Sequence, residues 1–185
     1  MSNVMATEAA VPISRLRRAQ LRTRLREQEA GGVIKEHVIG ALGLGLFPIP
    51  VLDVAFIAVV QLRMLRQLSA LYEVPYSRPL ARAAVGMVLG ALVPVKTTVL
   101  VASFLKLIPG FGSLIAGSTG SVTAGAIVYA SGRVFVGHFE RGGNLVDFEI
   151  DRARAALHEG FAEGLEFVPR LVDSRHRDTP PETGS

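Results

Sequence analysis

A chain of 185 residues is long enough for one domain with a real core and short for two. At 49% hydrophobic and 19% charged, with a mean hydropathy of +0.37, it is more apolar than an ordinary soluble domain requires, which leans toward a membrane. The absence of cysteine excludes disulfides, thiol nucleophiles and thiolate metal sites, and the net charge of +4 understates a local basic cluster.

Residues 1–12 are small and polar and are expected to be a disordered tail. They contain no apolar core segment of a signal peptide, so the basic end is expected to stay in the cytoplasm. Arg15, Arg17, Arg18, Arg22, Arg24 and Arg26 then crowd a helical segment over 13–32 whose nearby acids are Glu27 and Glu29. Such a cluster favours anionic lipid, nucleic acid or an acidic partner. Gly31 and Gly32 are expected to interrupt this basic helix before an apolar domain over 33–168.

Within that domain a glycine-rich helix over 33–47 is ended by Pro48, and a second helix opens at Pro50 and runs to about Tyr72. Asp53 falls in its first turn, where a carboxylate complements the helix dipole. The turn "EVPYSRP" leads to an apolar segment over 80–107 that contains Pro94 and Lys96, which predicts a kink or break near Val93. "IPGFG" makes a second corner at Pro109 and Gly112, followed by a helix over 113–141 with Ser113, Gly117, Ser121 and Gly125 at every fourth position. Small residues at that spacing, like Gly86 and Gly90 before them, let helices approach closely. "RGGN" ends this helix, with Asn144 a cap for a last amphipathic helix whose stripe is Val146, Ile150, Ala153, Leu157, Phe161, Leu165 and Val168. Residues 169–185 carry prolines and no periodicity and are expected to be a disordered tail. The class is all-α: two proline-cornered helical hairpins with flanking amphipathic N- and C-terminal helices.

Span length alone does not settle the membrane question. The uncharged stretch 107–132 is long enough for a span of roughly 20 residues. Over 84–105, about eleven Leu, Val and Phe residues contributing roughly −0.3 to −0.6 kcal/mol each are offset by about 2.5 to 3.5 kcal/mol for Lys96, with Pro94 unfavourable too. Basic residues flank the first hairpin, Lys35 before it and Arg63 and Arg66 after it, which suits a re-entrant or protein-buried hairpin. The competing reading is a bundle that is apolar on several faces because it is all core.

Catalytic and cofactor patterns are weak. "GALVPVKT" has P-loop spacing, but Val95 stands where the second glycine must let the backbone wrap phosphates, so no nucleotide site is expected there. His37, His138, His158 and His176 do not share metal-ligand spacing, and the serines at 113, 118, 121 and 131 lie on a helix face of small residues. No enzyme, cofactor or metal is expected. Asp53 reads first as a helix-start carboxylate, with an ion pair to Lys96 or His37 in a transport path as the alternative. Nucleic acid is disfavoured because the arginine segment lacks interleaved aromatics.

"PIPVLD", "QLRMLRQLSALY", "LIPGFGSLIAG" and "YASGRVFVGHFERGG", in this order, resemble the YcjF-like family of bacterial helical domains of unknown function, over about 34–143. Members of that family look membrane-associated and are often joined to, or partnered with, a GTP-binding or other P-loop NTPase domain. The resemblance thus implies a separate GTPase partner, since this sequence has no such domain, and it brings no catalytic residues. Its matches at Pro48, Pro50, Asp53, Gln61, Met64 and Tyr72 are treated as structural. The leading expectation is a non-enzymatic module at the cytoplasmic face of the inner membrane, or integral in it, with the arginine segment on the lipid headgroups. A soluble adaptor or homo-oligomer packing through Gly86, Gly90 and the 113–125 face is the alternative, and a small channel subunit is a third.

Overall fold

A computed structural model describes residues 13–44, 50–92 and 113–178. Among them the chain is all-α, with five helices and no strand: α1 (Ile13–Leu44), α2 (Pro50–Leu71), α3 (Arg78–Leu92), α4 (Ser113–Glu140) and α5 (Ile150–Asp178). The apolar α4 is central and packs most extensively against α5, then α1, then α2; α3 lies against α2 and α5. The pairing is therefore broader than two sequential hairpins. Met64, Leu65 and Leu68 from α2, Val128 and Phe135 from α4 and Leu157 from α5 are fully buried at the centre.

The expected interruption at Gly31 and Gly32 does not occur: α1 runs through both. A β-carbon at either would meet nothing within 4 Å, so neither glycine is there to make room. The helix persists because Ala30, Ile34, Val38 and Ala41 repeat at helical spacing and are all buried, and this packing outweighs a propensity cost of about 1 kcal/mol per glycine. The basic segment and the first core helix are one rod.

The last helix differs at both ends from the expectation. It starts at Ile150, and residues 144–149 form a loop in which Leu145 and Phe148 are buried while Val146 is 78% exposed. Asn144 does not cap a helix; its Oδ1 accepts from the Val146 N–H at 2.7 Å, a local turn that competes with helix. At the other end α5 passes through Pro169 to Asp178, so the aperiodic tail begins later than residue 169. Val168 is fully buried and Leu171 packs on the core, so the apolar stripe continues across the proline and outweighs the lost hydrogen bond.

Close approach of α4 and α5 depends on glycine. A β-carbon at Gly164 would lie 2.8 Å from the Ala126 Cα and 3.0 Å from its carbonyl oxygen, and one at Gly160 would lie 3.2 Å from the Ala130 Cα. From the other side, a β-carbon at Gly125 would lie 3.1 Å from a Val168 methyl. Small residues on both helices thus bring backbone against backbone. On α4, Gly125 faces Val168 across this seam and Ser121 is buried, while the complementary glycines of α5 interrupt its apolar stripe.

Two helix ends share one capping geometry. At the end of α4 the Gly143 N–H bonds the His138 carbonyl and the Gly142 N–H bonds the Phe139 carbonyl, with Gly142 at φ 80°. At the end of α2 the Val74 N–H bonds the Ser69 carbonyl and the Glu73 N–H bonds the Ala70 carbonyl, with Glu73 at φ 58°. Both are Schellman caps, and the second places a glutamate where glycine is normally preferred.

Candidate functional site

The buried polar groups serve the packing. Ser131, fully buried on α4, accepts from Gln61 Nε2 at 2.9 Å and donates to the Ile127 carbonyl at 2.7 Å. This ties α2 to α4 through the core, and Gln61 Oε1, Ser69 Oγ and Ser121 Oγ have no hydrogen-bond partner among the described residues. His37 Nδ1 lies 2.8 Å from the Val33 carbonyl one turn back, so the ring closes onto its own helix. His138 Nε2 faces the Asn144 carbonyl at 2.9 Å and Asp147 Oδ1 at 3.2 Å, and its ring lies edge-on to Phe148 at 5.3 Å. Asp147 Oδ1 also accepts from the Asn144 N–H at 2.6 Å. That backbone hydrogen bond, and next His138, hold the Asp147 carboxyl below the usual carboxylate range. Together these contacts latch the α4–α5 loop.

The arginine segment occupies the first half of α1, where Arg17, Arg18, Arg22, Arg24 and Arg26 are exposed alongside Leu21 and Leu25. Arg18, Arg22 and Arg26 follow at four-residue spacing and line a groove of about 630 Å³ with Glu27, Tyr72, Phe139 and Glu140. Arg26 stands over the Tyr72 ring at 5.6 Å and 4.0 Å from Glu73. The Tyr72 hydroxyl donates to Glu140 at 2.9 Å, and burial, followed by that carboxylate, pushes its pKa up. This part of the basic cluster is therefore partly neutralised. Along a straight helix, Arg26 stands about 27 Å from Leu44, the last residue of α1. The basic segment and the arm expected to follow it are thus two halves of one helix.

A second groove, of about 530 Å³ between α1, α4 and α5, has mixed charge, with Glu27, Lys35, Arg133, Glu159 and Glu163 on its walls. Tyr129 stacks on Phe167 at 4.8 Å and donates to Glu163 at 3.4 Å; burial raises its pKa first of all. A third, shallower groove of about 250 Å³ lies between α2 and α3 and is lined by Arg63, Arg66, Arg78, Arg82 and Tyr76 with Val59 and Leu62. No acid lines it. In the sequence Arg63 and Arg66 stand as the basic flank after the first hairpin, and Arg78 and Arg82 join them only through the α2–α3 turn.

Pro48, Pro109, Gly112 and Lys96 lie outside the described residues. Pro50 opens α2 with Asp53 in its first turn, Arg15 is in the first turn of α1 and Gly117 in the second of α4; the side chains at these positions also lie outside the described residues. Gly86 and Gly90 do not mediate packing between the described helices: both are exposed, and a β-carbon at either meets nothing within 4 Å. The buried face of α3 is Ala81, Ala84, Val85 and Val88, which turns both glycines outward. Among the described residues, no helix is long and apolar enough to cross a membrane, and no group of three or more metal-ligating side chains gathers.

No solved structure matches this chain. The chain is 37% identical over 147 residues to Magnetosome membrane protein 22 of Magnetospirillum gryphiswaldense, covering 79% of this chain and 75% of that protein. A domain of unknown function, DUF697, matches residues 12–161, from the start of the basic rod into α5. The chain belongs to the DUF697 family.

Proposed function

We propose that this chain is a non-enzymatic helical module that associates with a membrane surface in a bacterial cell. The observation that carries this reading is the similarity, over most of both chains, to a protein named as a magnetosome membrane protein. Exposed arginines on α1 and in the α2–α3 groove, beside exposed Leu21, Leu25, Phe56, Val59 and Met87, supply cations and apolar side chains suited to an anionic bilayer face. In this reading the attachment is peripheral and on the cytoplasmic face; among the described residues no helix is long and apolar enough to cross a membrane.

The finer reading follows the YcjF-like resemblance: the module is an accessory to a separate GTPase or other P-loop NTPase. Fractionation of the tagged protein tests the first part. Sedimentation with membranes at low salt, with release by high salt or alkaline carbonate, is the expected result. A protein wholly in the soluble fraction would overturn membrane association, and retention through carbonate would overturn its peripheral character. Crosslinking in the native host followed by mass spectrometry tests the partner, with a P-loop NTPase expected among the captured proteins. Recovery of other proteins without any NTPase would remove that part.

A second reading is favoured by Gly86, Met87 and Gly90, which form an exposed strip on α3 with room for another backbone. In this reading the chain self-associates there. Sedimentation velocity of wild type and Gly86→Leu distinguishes it, since an oligomer built on that strip dissociates in the variant.

A further inference from the structure

The outer face of α2 changes character along its length, and α3 adds to its charged end. On α2, Phe56, Val59, Arg63 and Arg66 follow one another on the exposed side; Phe56 is 44% and Val59 54% exposed. On α3, Arg78 and Arg82 lie one turn apart on the flank that faces this groove. The short turn over 72–77 makes the two helices antiparallel, so the four arginines meet across the groove, with Val59 and Leu62 beside them.

Charge is one-sided here. From Ala55 to Leu92 the only acid is Glu73, and it lies 4.0 Å from Arg26 of α1. Arg63, Arg66, Arg78 and Arg82 have no ion pair among the described residues. Four guanidiniums converging without a counter-charge repel one another and are stabilised by an anion that several of them share. The α1 groove, by contrast, contains Glu27 and Glu140, and its Arg26 already sits on Tyr72. An apolar strip bordered by arginines and Tyr76 matches the layering of a bilayer face, in which acyl chains lie beneath phosphates.

We propose that the outer face of the α2–α3 hairpin docks on an anionic lipid surface, with Arg63, Arg66, Arg78 and Arg82 gripping lipid phosphates and Phe56 and Val59 entering the boundary between headgroups and acyl chains. This rests on the membrane-associated reading above and assigns the surface that makes the contact. The basic half of α1 passes the α2–α3 turn, where Arg26 meets Tyr72 and Glu73, and is not part of this face.

The test uses the full chain and co-sedimentation with phosphatidylcholine vesicles, with and without phosphatidylglycerol. Wild type binds the vesicles containing phosphatidylglycerol and weakens as salt is raised. The variant Arg63→Gln/Arg66→Gln/Arg78→Gln/Arg82→Gln loses partitioning by on the order of 10²–10³-fold, from ~1 kcal/mol per arginine near such a surface. The variant Arg17→Gln/Arg18→Gln/Arg22→Gln/Arg24→Gln retains most of it. Phe56→Asp/Val59→Asp, which keeps every arginine, also loses binding, and far-UV circular dichroism checks that each variant stays helical. Wild-type failure to bind either vesicle would overturn membrane association and this assignment together. Binding lost in the α1 variant but kept in the α2–α3 variants would overturn the assignment alone.

Discussion

Gly160 and Gly164 of α5 share their spacing with Gly86 and Gly90 of α3, and their surroundings are opposite. On the inner seam a β-carbon at Gly164 would collide with the backbone of Ala126, whereas on the outer hairpin one at Gly86 would meet open space. Four-residue spacing puts two glycines on one helix face; it does not say whether another helix is there. What decides is the rest of the wheel. In α5 the glycines fall among Ala153, Leu157 and Val168, all buried, while in α3 they lie opposite Ala84, Val85 and Val88.

The sharpest way to break this comparison is to add the same methyl group to both faces. Gly164→Ala is expected to destabilise by about 1–3 kcal/mol, because the obstacle is backbone and the helices must separate. Gly86→Ala, in contrast, is expected to stabilise by about 0.4–1 kcal/mol, through the lower entropy of the unfolded chain. Urea denaturation of both variants reads the difference, and equal effects would mean that the seam is looser than the geometry requires.

The seam can be probed next through its polar tie. Ser131→Ala leaves the Gln61 amide without its partner in a fully buried position and should cost about 1–3 kcal/mol. Adding Gln61→Leu should recover much of that loss, since removing both partners of a buried hydrogen bond is often nearly neutral. Two losses that simply add would show that the pair is not coupled.

The two Schellman caps extend the comparison to the turns. Gly142 occupies the left-handed position after α4, and Glu73 occupies the equivalent position after α2 at φ 58°. Glu73→Gly is therefore expected to stabilise by about 0.5–1 kcal/mol despite losing an exposed 4.0 Å ion pair. A net loss of stability in thermal denaturation would mean that the Arg26 contact outweighs backbone strain.

The smallest effect belongs to the α4–α5 loop. The folded state lowers the pKa of Asp147 from its ordinary value of 3.8, so its contribution is present above that value and is lost as pH falls through the lowered one. In Asp147→Asn the acid limb of the stability profile should be correspondingly shallower. An unchanged acid limb would remove the latch from the stability account.

Much of this architecture is legible in the chain. The start at Pro50, the end of α4 at "RGGN" and most of the α5 stripe all follow from local rules. The errors arise where tertiary packing outweighs a local signal. Buried residues on either side of Gly31 and Gly32 hold α1 straight, and burial of Val168 with Leu171 packed on the core carries α5 through Pro169. Spacing alone puts Val146 in the stripe, but the Asn144 turn removes it from the helix. The arginine groove has no linear signature because its halves come from different helices, whereas the α1 cluster is contiguous in sequence.

The most direct measurement follows from the absence of cysteine, which allows an environment-sensitive fluorophore to be placed at one engineered thiol. Labels at Val59→Cys on α2, Leu21→Cys on α1 and Ala155→Cys on the exposed side of α5 would be compared on vesicles containing phosphatidylglycerol. The α2–α3 docking account predicts a blue shift and intensity gain at position 59, with positions 21 and 155 unchanged. A shift at position 21 with none at position 59 would contradict it and assign the membrane contact to the basic half of α1.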